Sequence, residues 1–226
     1  MVKLVWASLV LILLVGCGGG STAPEASKNI LVIGQSNVRE YGKGLDYNAS
    51  KTTRLVDGEW VTYISTADKS TFIPVLGDLL GGAKVVNVAE GATSIGDWEH
   101  NGELFGRIAA SAGALEYDIV LFQQGENDTV LGTTTEEYSR DLQIILDEIR
   151  DVGIDAPVYI AITSYAFGEM SAEVREGQRI VIDRNTGVYI GVDTDFYGDV
   201  YRHDTVHFNE AGLSAIATKW VEVLSE

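Results

Sequence analysis

Asn29-Ile30-Leu31-Val32-Ile33-Gly34-Gln35-Ser36-Asn37 decides the fold. Ile30 to Ile33 is an unbroken apolar run, β-branched at all but Leu31. That is the composition of a strand buried on both faces of a parallel sheet. The run stops at Gly34 and gives way to a polar Gln-Ser-Asn. A serine just past the carboxyl end of such a strand sits where open α/β sheets place their ligand crevice. Taken alone, Ser36 is more simply a cap or turn residue before a helix. Partners further along the chain turn the reading toward chemistry.

Downstream, the same kind of run recurs at Lys84–Ala89, Asp118–Gln123, Pro157–Ile162 and Val188–Val192. Helical patterns separate the runs, at 72–80, 103–115, Thr135–Asp151, 171–183 and 209–224. Thr135–Asp151 is the strongest, with Leu142, Ile145, Leu146 and Ile149 on one face. Strand and helix alternating in this way predict an α/β fold: a three-layer α/β/α sandwich, flavodoxin-like, around a central parallel sheet of about five strands. Tyr41 to Ser70 has little periodicity and reads as a long loop, with a small hairpin around Asp57-Gly58.

Upstream, residues 1–16 read as an export signal, with Lys3 ahead of an apolar core from Leu4 to Val15 that is too short to span a bilayer. Leu14-Val15-Gly16-Cys17 resembles a bacterial lipoprotein signal, which implies lipidation of Cys17 and a chain anchored to a membrane of the cell envelope. Gly18 after the cysteine points, by that pattern, to the outer membrane. Residues 17–28 form a Gly/Ser/Pro-containing tether, and 29–226 one domain. Cys17 is the only cysteine, so no intrachain disulfide is possible and stability rests on a hydrophobic core. A formal charge of −17 repels phosphate backbones and argues against a nucleic-acid partner.

Four short blocks fall at strand ends or in loops: Gly34-Gln35-Ser36-Asn37, Gly91 within Glu-Gly-Ala-Thr-Ser, Gln124-Gly125-Glu126-Asn127-Asp128, and Asp204-Thr205-Val206-His207. Parallel strands bring their carboxyl ends to one edge, so these blocks can converge. Acyl transfer needs such a set: a serine, a base for its proton, a carboxylate to orient the base, and donors for the oxyanion.

The order of the blocks resembles the SGNH hydrolases, and more closely their sialate O-acetylesterase and acetylxylan esterase branch, carbohydrate esterase family six. That branch has Gly-Gln-Ser-Asn, Gln-Gly-Glu and Asp-x-x-His, as here; Val38 stands where it often has methionine. The resemblance implies Ser36 as nucleophile, His207 as general base and Asp204 as its orienting carboxylate. It also implies an oxyanion hole from the N–H groups of Ser36 and Gly91 and one side-chain amide, Asn127 or Gln124, with Asn127 narrowly preferred. The implied activity is removal of O-acetyl groups from a carbohydrate through an acetyl-enzyme, with no cofactor. Another acyl ester, on peptidoglycan or a lipid, and a non-catalytic sugar-binding lipoprotein are the alternatives.

Several residues admit plainer roles. His203 and His207 are four apart, but Thr205 and Val206 are poor helix formers and no third ligand is evident, so a metal is not expected. His203 reads as an exposed loop residue near substrate. Asp193, Asp195 and Asp199 lack calcium-loop spacing and read as a solvated acidic loop. Glu126 and Asp128 read as structural. Tyr41, Trp98 and Tyr165, all in predicted loops, could stack on a sugar or simply pack.

Overall fold

The computed structural model describes residues 27–100 and 102–226. The export signal, Cys17 and the tether as far as residue 26 lie outside the described residues. The strands are β1 (Lys28–Gly34), β2 (Tyr47–Val56), β3 (Glu59–Ser65), β4 (Ala83–Asn87), β5 (Ile119–Gln123), β6 (Val158–Ile162) and β7 (Val188–Asp193). The helices are α1 (Ser36–Arg39), α2 (Ile73–Leu79), α3 (Phe105–Ser111), α4 (Glu126–Leu131), α5 (Thr135–Asp151), α6 (Ala172–Arg184) and α7 (Glu210–Leu224). One sheet runs β3-β2-β4-β1-β5-β6-β7, parallel throughout except for the antiparallel β2–β3 pair.

β1 lies between β4 and β5, and its side chains alternate between two cores. Ile30 and Val32 pack with Leu76 of α2 and with Leu213, Ile216 and Trp220 of α7. Leu31 and Ile33 pack with Ile108 of α3, Leu142 and Ile145 of α5, and Val174 of α6. All four are completely buried, and each such side chain stabilises the fold by about 1.5–3 kcal/mol. A continuous apolar run is what a strand with a core on each side requires.

The sheet has seven strands where about five were expected. The added pair is the 41–70 region, whose predicted hairpin extends the sheet rather than forming a free loop. Asp57 and Gly58 both have positive φ, 49° and 84°, the two-residue turn that matches strand twist. β2 escapes notice because its middle, Asn48 to Arg54, is polar apart from Ala49, and it buries only Ala49 and Thr52 fully. What secures β2 is a carboxylate. Asp78 of α2 accepts hydrogen bonds from Ser50 N, Lys51 N, Thr52 Oγ1 and Tyr47 Oη at 2.6–3.0 Å. Burial raises its carboxyl, but these donors outweigh burial and hold it at about 2.

The chain leaves β1 toward β2 and later crosses to β5 on its other side. That makes the carboxyl end of β1 the topological switch point, where a crevice opens.

Candidate active site

Ser36 opens α1 directly after β1. Gly34 permits the turn: its φ is 141°, and a Cβ there would sit 2.0 Å from the Gln123 carbonyl oxygen. Gln35 N–H donates to that same carbonyl at 3.1 Å, pinning the serine turn to the end of β5. Ser36 is only 3% exposed. Its N–H, in the unpaired first turn of a helix, has no acceptor among the described residues.

His207 and Asp204 share the loop before α7. Asp204 Oδ1 accepts from His207 N at 2.7 Å and Val206 N at 3.1 Å, and its Oδ2 meets His207 Nδ1 at 2.7 Å. Burial would raise the Asp204 carboxyl, but the bonds from the His207 ring, His207 N–H and Val206 N–H hold it below the ordinary carboxylate range. A carboxylate on Nδ1 places the ring proton there and leaves Nε2 as the basic nitrogen. The Tyr41 ring stacks on His207 at 5.5 Å.

Ser36 and His207 line one cavity of about 190 Å³, together with Asn127, Tyr41, Ala92, Val130 and Phe167 among others. No hydrogen bond joins Ser36 to His207 among the described residues; such pairs often tighten only with substrate bound. Phe167, at positive φ, donates its N–H to Thr205 O at 3.1 Å. The 164–170 loop is thereby tied to the histidine loop.

The two amides separate clearly. Gln124 is fully buried behind the cavity, with Nε2 donating to Gln35 Oε1 at 2.8 Å, Asp128 Oδ2 at 3.0 Å and the Thr93 carbonyl. It has no hydrogen left for an oxyanion. Asn127 lines the cavity, and its Nδ2 makes one bond, to Ala92 O at 3.3 Å, so one of its two hydrogens is free. Gly125, with φ 156°, reverses the chain between them. Gly91 does not line the cavity; Ala92 does. The N–H of Gly91 helps to lower the Glu90 carboxyl, after burial, which raises it, and the two arginines Arg39 and Arg107. A Cβ on Gly91 would meet the Tyr41 ring at 2.7 Å.

The plainer readings divide. Glu126 and Asp128 are structural: Glu126 Oε1 accepts from Asn37, and Asp128 accepts from Ile95 N and Gln124. Burial pushes both carboxyls up. Trp98 is fully buried and Tyr165 lies beneath the Arg202 guanidinium, so Tyr41 is the one of the three predicted aromatics at the cavity. Asp193 and Asp195 are not a solvated loop; both grip Arg175, and Asp195 also accepts from Ser164 and Tyr165 N–H. His203 Nε2 lies 3.1 Å from Tyr41 O. His203, Asp204 and His207 offer donor atoms within 4.8 Å of one another, so Asp204, which stands between the two histidines in the chain, is the third potential ligand. The 2.7 Å Asp204–His207 contact is the geometry of a hydrogen bond.

Sequence reasoning gave Asn37 no role of its own and missed Arg202 as part of this region. Arg202 is 5% exposed, packs between the Tyr165 and Phe208 rings, and donates to the carbonyls of Tyr197, Thr194 and Val206. Nothing local marks such a residue, because all its acceptors are brought by the fold.

Known proteins share the fold of this chain. Solved structures that share the fold include a protein from Arabidopsis thaliana, with a TM-score of 0.69 and 18% identity over 89% of this chain and 99% of that one. NanS superposes with a TM-score of 0.65 and 12% identity over 90% and 98%. A member of the lipolytic G-D-S-L family from Veillonella parvula superposes with a TM-score of 0.59 and 16% identity over 88% and 98%. These identities speak for the fold alone. No curated protein matches the chain. The family model "Carbohydrate esterase, sialic acid-specific acetylesterase" matches residues 81–226, which contain Asp204 and His207 but not Ser36. The chain belongs to that carbohydrate esterase family, on an SGNH hydrolase fold.

Proposed function

We propose that this esterase removes acetyl groups from a carbohydrate by way of an acetyl-serine at Ser36. The observation that carries the proposal is one cavity lined by Ser36, by His207 with Asp204 on its Nδ1, and by Asn127 with a free amide hydrogen. In the first step Ser36 Oγ attacks the acetyl carbonyl carbon and His207 Nε2 takes the hydroxyl proton. The carbonyl π electrons move to oxygen. The Ser36 N–H and Asn127 Nδ2 stabilise that charge. On collapse the C–O bond to the sugar breaks, and the departing oxygen receives the proton from His207. Water then attacks the acetyl-serine with His207 again as base, releasing acetate and restoring Ser36.

A second reading has one observation in its favour. Val130, Leu131 and Phe167 are 55–66% exposed, and Val130 and Phe167 reach the cavity. Such a rim would suit a longer acyl chain. Hydrolysis of p-nitrophenyl acetate and butyrate, with acetate release from acetylated xylan and O-acetylated sialic acid, separates the readings. Acetate should be favoured over butyrate, at least one glycan should be deacetylated, and Asn127→Ala should lower kcat roughly 10²–10³-fold. Butyrate turned over faster than acetate, with both glycans untouched, would support the lipid-ester reading. No turnover of any ester would leave a binding protein.

A further inference from the structure

We propose that Asn37 is a positioning residue that holds the base in register with the nucleophile; the proposal rests on the esterase reading above. Asn37 follows Ser36 in α1 and is 1% exposed. Its Nδ2 donates to Val206 O at 3.2 Å, and its Oδ1 accepts from Phe208 N at 3.3 Å. Those are the backbone groups on either side of His207. The second Nδ2 hydrogen goes to Glu126 Oε1 at 2.7 Å. One side chain, covalently adjacent to the nucleophile, therefore clips the peptide segment that carries the base, 169–171 residues away in sequence.

The clip requires asparagine. A reversed amide would set Oδ1 against two acceptors and Nδ2 against an N–H, so the orientation is fixed by its partners. Aspartate keeps the acceptor but loses both donors and places a second carboxyl beside buried Glu126. Serine and alanine are too short to span the gap. Arg202 donates to the same Val206 carbonyl, and Lys43 N–H donates to Phe208 O at 3.0 Å, so the segment is gripped from several elements; Asn37 is the side chain next to Ser36 that bonds both backbone groups flanking His207. Displacement of a catalytic group by about 1 Å can cost roughly 10²-fold in rate, and loss of this clip would free both backbone groups beside His207.

The test compares wild type with Asn37→Ala, Asn37→Asp, Val38→Ala and Ser36→Ala on p-nitrophenyl acetate, measuring kcat, KM and Tm for each. Val38 is equally buried and adjacent, but its side chain packs in the core beneath α1. Both Asn37 variants should lose kcat about 10²-fold with KM within about threefold, while Val38→Ala loses Tm with kcat largely kept. If Val38→Ala loses kcat as much as the Asn37 variants at matched Tm loss, Asn37 is only structural and the proposal fails. If either folded Asn37 variant keeps wild-type kcat, the proposal also fails, with the esterase reading intact. Wild-type turnover by Ser36→Ala would overturn both.

Discussion

Ser36→Ala is expected to lower acetyl-ester turnover about 10⁴–10⁶-fold, the scale seen when a serine nucleophile is removed from a working triad. The residual rate would come from binding and oxyanion donors alone. The change deletes one hydroxyl from a site 3% exposed and adds no bulk. The Ser36 N–H, the Gln35 anchor to Gln123 O and the Asn37 bonds all survive it. Tm should therefore stay within a few degrees while kcat collapses, and steady-state kinetics beside a thermal melt checks both. A loss of less than tenfold would remove the nucleophile assignment.

Asp204→Asn should cost about 10²–10⁴-fold in kcat with little change in KM. The reason is the tautomer. Asn Oδ1 can still accept the Val206 and His207 N–H bonds that shape the loop, but the amide nitrogen would face His207 Nδ1. A donor there drives the ring proton to Nε2 and removes the base. The pH profile follows from the same contacts. A carboxyl held below its ordinary range in the folded protein adds stability that is complete above the unfolded value and is lost as pH falls through the lowered one. Asp204 thus stays ionised across the working range, so loss of its charge does not limit the reaction there. An unchanged kcat would show that Asp204 orients nothing.

Much of this was legible in the chain. A strand with a core on each face has to be apolar throughout, and Ile30–Ile33 is. Thr135–Asp151 could be bounded to the residue because Thr134 and Glu137 cap each other's backbone groups and one face is apolar. Asp204 and His207 are three residues apart in one turn, so their pairing is local. What was hidden depends on distant partners. β2 is polar and is held by Asp78, so no periodicity announces it. Gln124 and Asn127 are both amides in one loop; which one faces the cavity is settled by the backbone turn at Gly125 and by a buried network that consumes Gln124. Trp98 looks like a loop aromatic until the core around Leu31 and Ile33 closes over it. Asn37 stands in the sequence only as the last residue of its Gly-Gln-Ser-Asn block, because both backbone groups it clips come from the far end of the chain.

The most direct test of a covalent acetyl-serine is to mix the protein with p-nitrophenyl acetate, quench in acid within the first turnovers, and map the modified peptide by mass spectrometry. The mechanism requires one acetyl group on the peptide containing Ser36, absent from Ser36→Ala and accumulating in proportion to a burst of p-nitrophenol. An acetyl group on another residue, or full turnover with Ser36 never modified, would contradict it.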